Sequence, residues 1–129
     1  MADKIIRIAT DDAPPPAGHY AQATAWRDLV FASGQLGVRS DGEHMVGESF
    51  EVQARQALGN LLAVLAAAEC GPEQVLRVTA YIVGVENWPA FNRVYAELMG
   101  DARPARTVVP VPGLHHGYLL EVDAVAARR

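Results

Sequence analysis

Two hydrophobic periods alternate along this chain. Residues 4–10, KIIRIAT, concentrate β-branched side chains and predict a short strand. A stiff, proline-rich loop, DDAPPPAG, follows and leads into HYAQATAWRDLVFASGQLG, which has two strand-like halves around Trp26-Arg27-Asp28. That turn lacks the glycine of a tight primed hairpin, which leaves its type open. RSDGEH at 39–44 is a turn signal. From about Ser49 to Cys70 the period lengthens. Phe50, Ala54, Ala57, Leu58, Leu61, Leu65 and Ala68 recur at steps of three and four, which predicts one apolar helix face. Ser49 is the expected N-cap, and Gly71-Pro72 the expected stop. QVLRVTAYIVG, 74–84, reads as a central strand. Asn87 offers a second cap, Pro89 fits a first turn, and Phe91, Val94, Tyr95 and Leu98 form a second helical stripe ended by Gly100. Two further strands, about 105–111 and 118–126, are joined by PGLHHG.

The order strand, strand, strand, helix, strand, helix, strand, strand predicts an α+β domain with two helices on one face of a mixed sheet. RVTAYIV and LLEVDAVA leave little that is polar on either side, so the second sheet face also needs a cover, and a partner subunit would supply it. The 129 residues fit a single domain, half of them hydrophobic and a fifth charged, an ordinary soluble composition with a surplus of apolar surface. Net charge is −4, and Arg103, Arg106 and the terminal Arg128-Arg129 form no stripe. Nucleic acid as main partner is disfavoured, because neutralising phosphates takes clustered Lys and Arg. The single cysteine, Cys70, excludes an internal disulfide and reads as a small core residue in a reducing compartment. MADKIIRIATDD lacks the apolar stretch of a secretory leader and no segment is long enough to cross a bilayer, so a cytoplasmic location is expected.

Arg106 opens the strand that carries Val108, Val109 and Val111, a context that looks set to be buried. A guanidinium cannot shed its charge, and burying it unpaired is costly. Either it clamps a substrate carboxylate through two parallel hydrogen bonds or it makes a structural ion pair with an internal Asp or Glu. Alternation puts Glu121 on one face with Leu119, Asp123 and Val125, opposite Tyr118, Leu120, Val122 and Ala124. Glu121 and Asp123 then lie on a solvated edge, or Glu121 is held near an apolar interface with its proton affinity raised so that it can handle a water. His115-His116 share a loop with no HExxH or Cys-x-x-Cys in the chain, so no metal is expected. Ser33 is outside any Gly-x-Ser-x-Gly elbow, and SGQLG lacks the lysine and helix of a phosphate loop. Taken alone, Tyr20 is compatible with a core position and Asn92 with an exposed helical one.

Seven segments in order, GHYAQA (18–23), FASGQLG (31–37), QALGNL (56–61), VTAYI (78–82), FNRVY (91–95), PARTVV (104–109) and LHHGYLLEVDAVA (114–126), resemble the RidA/YjgF/UK family of reactive-intermediate (imine/enamine) deaminases. The resemblance runs from about Pro16 to Ala126. It implies a chorismate-mutase-like α+β fold, a homotrimer whose sheets pack around the centre, and three clefts between subunits. In that cleft Arg106 would grip the substrate carboxylate and Glu121 would position or activate water. Tyr20, Ser33 and Asn92 would shape the pocket and hydrogen-bond the substrate. The implied substrates are 2-imino acids and their enamines, such as 2-aminoacrylate and 2-iminobutanoate, with no metal or organic cofactor. Other readings are a non-catalytic trimer that senses small carboxylates and, against the acidic balance, an endoribonuclease or translation inhibitor. The chain departs from the family pattern at His19 and His115, where prolines are common, at Ala21, where serine is common, and at Tyr118, where a small residue is common. His115 and Tyr118 border the strand of Glu121 and are expected to re-line the cleft.

Overall fold

Six strands and two α-helices form among the described residues, in the predicted order: β1 (Ile5–Ile8), β2 (Ala23–Trp26), β3 (Leu29–Gln35), α1 (Phe50–Ala67), β4 (Val75–Ile82), α2 (Trp88–Met99), β5 (Ala105–Pro110) and β6 (Leu120–Ala127). The structure is a computed structural model that describes residues 4–128. Met1–Asp3, part of the segment read above for a leader, and Arg129 of the terminal basic pair lie outside the described residues. The strands form one sheet in the order β1-β2-β3-β6-β4-β5. Neighbours are antiparallel except β4 and β5, which α2 joins as parallel strands. Both helices pack on one face. Leu58, Leu61, Val64 and Leu65 of α1 and Phe91 and Val94 of α2 cover Val30, Val78, Ala80, Leu120 and Val122, all almost fully buried. Cys70 is a free thiol buried at the edge of this core, where loss of solvent raises its pKa.

The helix boundaries show where backbone closure outranks the residue that would ordinarily provide it. Ser49 caps α1 as expected, its hydroxyl accepting from the Val52 N–H at 3.3 Å. The far end stops before Gly71. Glu69 takes the left-handed conformation (φ 65°), the Glu69 N–H donates to Ala66 O, and the Cys70 N–H reaches Leu65 O. This pair of bonds satisfies the last carbonyls two residues early, and burial of Cys70 holds it in place. Gly71 is extended (φ −90°) and instead opens the short 3-10 turn Pro72–Gln74. Asn87 precedes α2 but does not cap it with its side chain; its Nδ2 donates to Val83 O. Gly100 ends α2 at φ 62°, as predicted. In the β2–β3 hairpin Arg27 alone supplies the positive φ (54°), its guanidinium lying 4.5 Å from the Trp26 ring.

Three buried amides on or beside the core tie down loops that the apolar pattern leaves unassigned. Gln22 Nε2 donates to Pro14 O at 2.9 Å and Thr10 O at 3.1 Å, and its Oε1 accepts from the Thr10 N–H at 2.7 Å, which fixes the proline-rich loop. Asn60 Nδ2 donates to Leu36 O and Val38 O. Gln53 Nε2 donates to Val46 O and Glu48 O, while its Oε1 accepts from the Leu119 N–H at 2.9 Å. Gln53→Leu would leave three backbone groups unpaired in a closed interior. A loss of about 2–4 kcal/mol is expected by denaturant titration, against a smaller change for the half-buried Gln56→Leu, which gives up one side-chain bond to Asn60.

Candidate functional site

Glu121 is the second residue of β6, a strand that lies between β3 and β4 rather than at a solvated edge. Its side chain is half-buried on the face turned away from the helices, the face shared by Tyr81 and Asp123. Opposite it β3 bulges: Ala32 pairs with Ala124 and Gln35 with Val122, so Ser33 and Gly34 together face Asp123. Bulges re-aim side chains, and here the extra residue leaves room for a carboxylate. A Cβ added at Gly34 would collide with Glu121 Oε2. Burial raises the pKa of Glu121, the nearby Asp123 raises it further, and His115 opposes both. Asp123 is itself raised by burial and accepts a hydrogen bond from Tyr81 Oη at 3.3 Å. Glu121 lines a cleft of about 350 Å³ whose walls include Pro14, Tyr20, Leu36, His44, His115 and His116.

Arg106 stands elsewhere. β5 is the outer strand of the sheet and is exposed along most of its length, so Arg106 is not buried as its valine-rich context suggested. An edge strand with one helix alongside covers only part of Val108 and Val109. The guanidinium carbon lies 4.9 Å from the centre of the Tyr95 ring and 5.4 Å from that of Phe91, both on α2. Among the described residues it has neither an ion pair nor a hydrogen bond, so the internal acidic partner weighed above is not there. It lines a second cleft, of about 510 Å³, with Asn92, Tyr95, Met99 and Arg103. The Tyr95 hydroxyl is buried there without a partner among the described residues.

Register shows that one chain does not unite these two groups. Arg106 pairs with Val78, and Val78 with Ala124, so Arg106 projects on the helix side of the sheet. Glu121 pairs with Tyr81 and projects on the other side. The structure therefore groups Tyr20 with Glu121, and Asn92 with Arg106, as two separate half-clefts. Ser33 lines neither; its hydroxyl donates to Ala21 O at 2.7 Å beside the bulge. The helix-free face that carries Glu121 also displays Ile5, Trp26 and Phe31, which are 71%, 40% and 45% exposed.

Two features of the Glu121 cleft escaped the sequence pattern. Gly34 was legible as a glycine inside a strand, which signals a bulge or a close approach, but not which side chain approaches. His44 lies in a turn far from His115 and His116 in sequence, and only the fold brings its ring to theirs. Tyr118, expected to re-line the cleft as part of the final strand, precedes β6 and is 1% exposed behind the wall. Its phenol is used on His44 Nδ1, 2.8 Å away, and the Met45 N–H, 3.0 Å away.

A family model described as Endoribonuclease L-PSP matches residues 10–128. A RutC family protein from Synechocystis is 39% identical over 128 residues, 98% of this chain and 97% of the relative. Goat 2-iminobutanoate/2-iminopropanoate deaminase is 31% identical over 121 residues, 94% of this chain and 88% of the relative. Among solved structures, Escherichia coli TdcF with bound serine superposes with a TM-score of 0.89 at 30% identity, covering 96% of this chain and 99% of that one. No helix among the described residues is long and apolar enough to cross a membrane.

Proposed function

The chain belongs to the Endoribonuclease L-PSP (RidA/YjgF) family, and from that premise we propose that it is a deaminase that hydrolyses 2-imino acids to 2-keto acids and ammonia, in clefts formed between copies of itself. The observation that carries this reading is the division of the site. Arg106 has no internal anion among the described residues, Glu121 has a raised pKa in a separate half-cleft, and the two project from opposite faces of one sheet. A closed ring of copies, a homotrimer, would bring the Arg106 half of one protomer to the Glu121 half of the next and cover Ile5, Trp26 and Phe31.

In the composite cleft Arg106 grips the substrate carboxylate as a planar fork, with Phe91 and Tyr95 under the guanidinium. This fixes the imine carbon next to that carboxylate. Glu121 orients a water toward the carbon and takes one of its protons as the oxygen bonds. The imine nitrogen gains a proton from solvent, which gives a carbinolamine. The carbinolamine hydroxyl proton passes to solvent, the C–N bond breaks, and the proton held by Glu121 goes to the departing nitrogen, which leaves as ammonia beside a new carbonyl. Its raised pKa suits Glu121 to holding a proton between the two steps. Asn92, next to Arg106, and Tyr20, next to Glu121, would orient the substrate, with Ser33 shaping the bulge behind them. The imine is already electrophilic, so the step needs neither metal nor organic cofactor. The free, buried Cys70 suits a cytoplasmic setting, where reactive imino acids are generated.

The test couples the protein to a threonine dehydratase acting on threonine and follows release of 2-ketobutyrate. Faster release than in the dehydratase-only control is the expected result. No acceleration, together with binding of the ketoacid, would favour a carboxylate sensor. Salt-sensitive cleavage of RNA by the pure protein would favour a nuclease.

A further inference from the structure

Three imidazoles form a continuous wall in the Glu121 cleft. The rings of His115 and His116 have centroids 3.8 Å apart, and those of His116 and His44 are 4.6 Å apart. All three line the cleft, and His115 is close enough to Glu121 to act on its charge. Pro14, Pro15, Leu36 and Val38 also line the cleft, beside the polar Tyr20, Gln22 and Gln35. Among the described residues no group of three or more His, Cys, Asp or Glu is arranged to hold a metal ion. Loss of solvent, then His115 and His44, lower the pKa of His116.

The outer ring is held from behind. Tyr118 Oη accepts from the Met45 N–H, and its own proton is free to go to His44 Nδ1 at 2.8 Å. That bond directs His44 toward His116 and ties the 39–45 turn to the start of β6. His116 itself sits at φ 62°, a left-handed position that turns its ring back between the other two.

Resting on the deaminase reading, we infer that the His115–His116–His44 wall is a side-chain subsite that selects imino acids with an uncharged aromatic or long apolar side chain, and that Tyr118 is a positioning residue acting through His44. A substrate anchored by its carboxylate, with its imine carbon at Glu121, extends its side chain along the cleft past the stacked rings. The stacked imidazole faces and the proline edges favour a flat or apolar group.

The test generates imino acids with an L-amino-acid oxidase from phenylalanine, alanine and glutamate, and measures how far the protein suppresses their trapping by semicarbazide. The expected ratio of kcat/KM for the phenylalanine-derived imine to that for the alanine-derived one is at least about 10, within the range a filled apolar pocket discriminates. His116→Ala and His44→Ala bring the ratio toward unity. Tyr118→Phe keeps the buried ring and lowers the ratio through KM, and it has no added effect in the His44→Ala background. A wild-type ratio of one or below, or a ratio that both histidine variants leave unchanged, overturns the subsite. An additive Tyr118→Phe effect overturns the role of Tyr118. If no imine is hydrolysed, calorimetry with phenylpyruvate and pyruvate separates the two ideas. Tighter phenylpyruvate binding that His116→Ala abolishes supports the subsite and removes only the deaminase reading. Equal binding of the two ketoacids overturns the subsite.

Discussion

Arg106→Ala lowers kcat/KM for 2-iminobutanoate by roughly 10²–10³-fold, the loss expected when one partner of a charged, hydrogen-bonded pair is removed. Arg106→Lys recovers only part of it, because an ammonium is a point charge and cannot make two parallel bonds to a carboxylate. The fold barely registers either change. The Arg106 side chain is exposed, makes no hydrogen bond or ion pair among the described residues, and gives up only its contacts with Phe91 and Tyr95. Such contacts are worth about 0.5–1 kcal/mol at an exposed site. The coupled dehydratase assay and a thermal melt check both halves. A variant as active as wild type would remove the carboxylate clamp from the account.

Glu121→Gln separates chemistry from stability in the opposite sense. The rate of hydrolysis falls by about 10²–10⁴-fold, the range for removing a positioned acid–base group, while substrate still binds through Arg106. The melting temperature at neutral pH holds or rises. Burial and Asp123 raise the pKa of this carboxyl in the folded chain above its unfolded value. The folded state thus holds the proton more tightly. The stability this lends is full below the unfolded value, near 4.5, and is lost as pH rises through the folded one. Replacing the carboxylate by an amide removes that loss, so the gap between variant and wild type widens from pH 4 upward. Gly34→Ala reaches the same group from across the bulge. Its methyl takes the place of Glu121 Oε2, the end of a flexible side chain, so activity drops while the fold survives.

Much of this architecture can be read from periodicity because each element is amphipathic in one simple way. Leu120, Val122, Ala124 and Ala126 alternate with half-buried positions along β6, and the α1 stripe from Phe50 to Leu65 is buried as its spacing predicts. The misreadings have local causes. Glu69 ends α1 because a hydrogen-bonded closure and a buried Cys70 outweigh the cost of a left-handed glutamate, and no residue type in that segment signals it. Valines around Arg106 predict burial, yet β5 is outermost, and strand order is not encoded in the hydrophobicity of a single strand. Gln53 and Asn60 lie on the buried stripe of α1, where a search for apolar residues passes over them. For the site, residue types and motifs brought out Arg106 and Glu121. That they face opposite sides follows only from the pairing of Val78 with both Arg106 and Ala124.

That opposition makes the composite cleft directly measurable. Arg106→Ala and Glu121→Gln chains, each inactive alone, are unfolded together and refolded as a mixture, then assayed for 2-ketobutyrate release. If each cleft takes its guanidinium from one copy and its carboxylate from the next, random assembly of a closed ring restores roughly a quarter of wild-type activity. A mixture that refolds into assemblies of the wild-type size and stays as inactive as its two components would contradict the account.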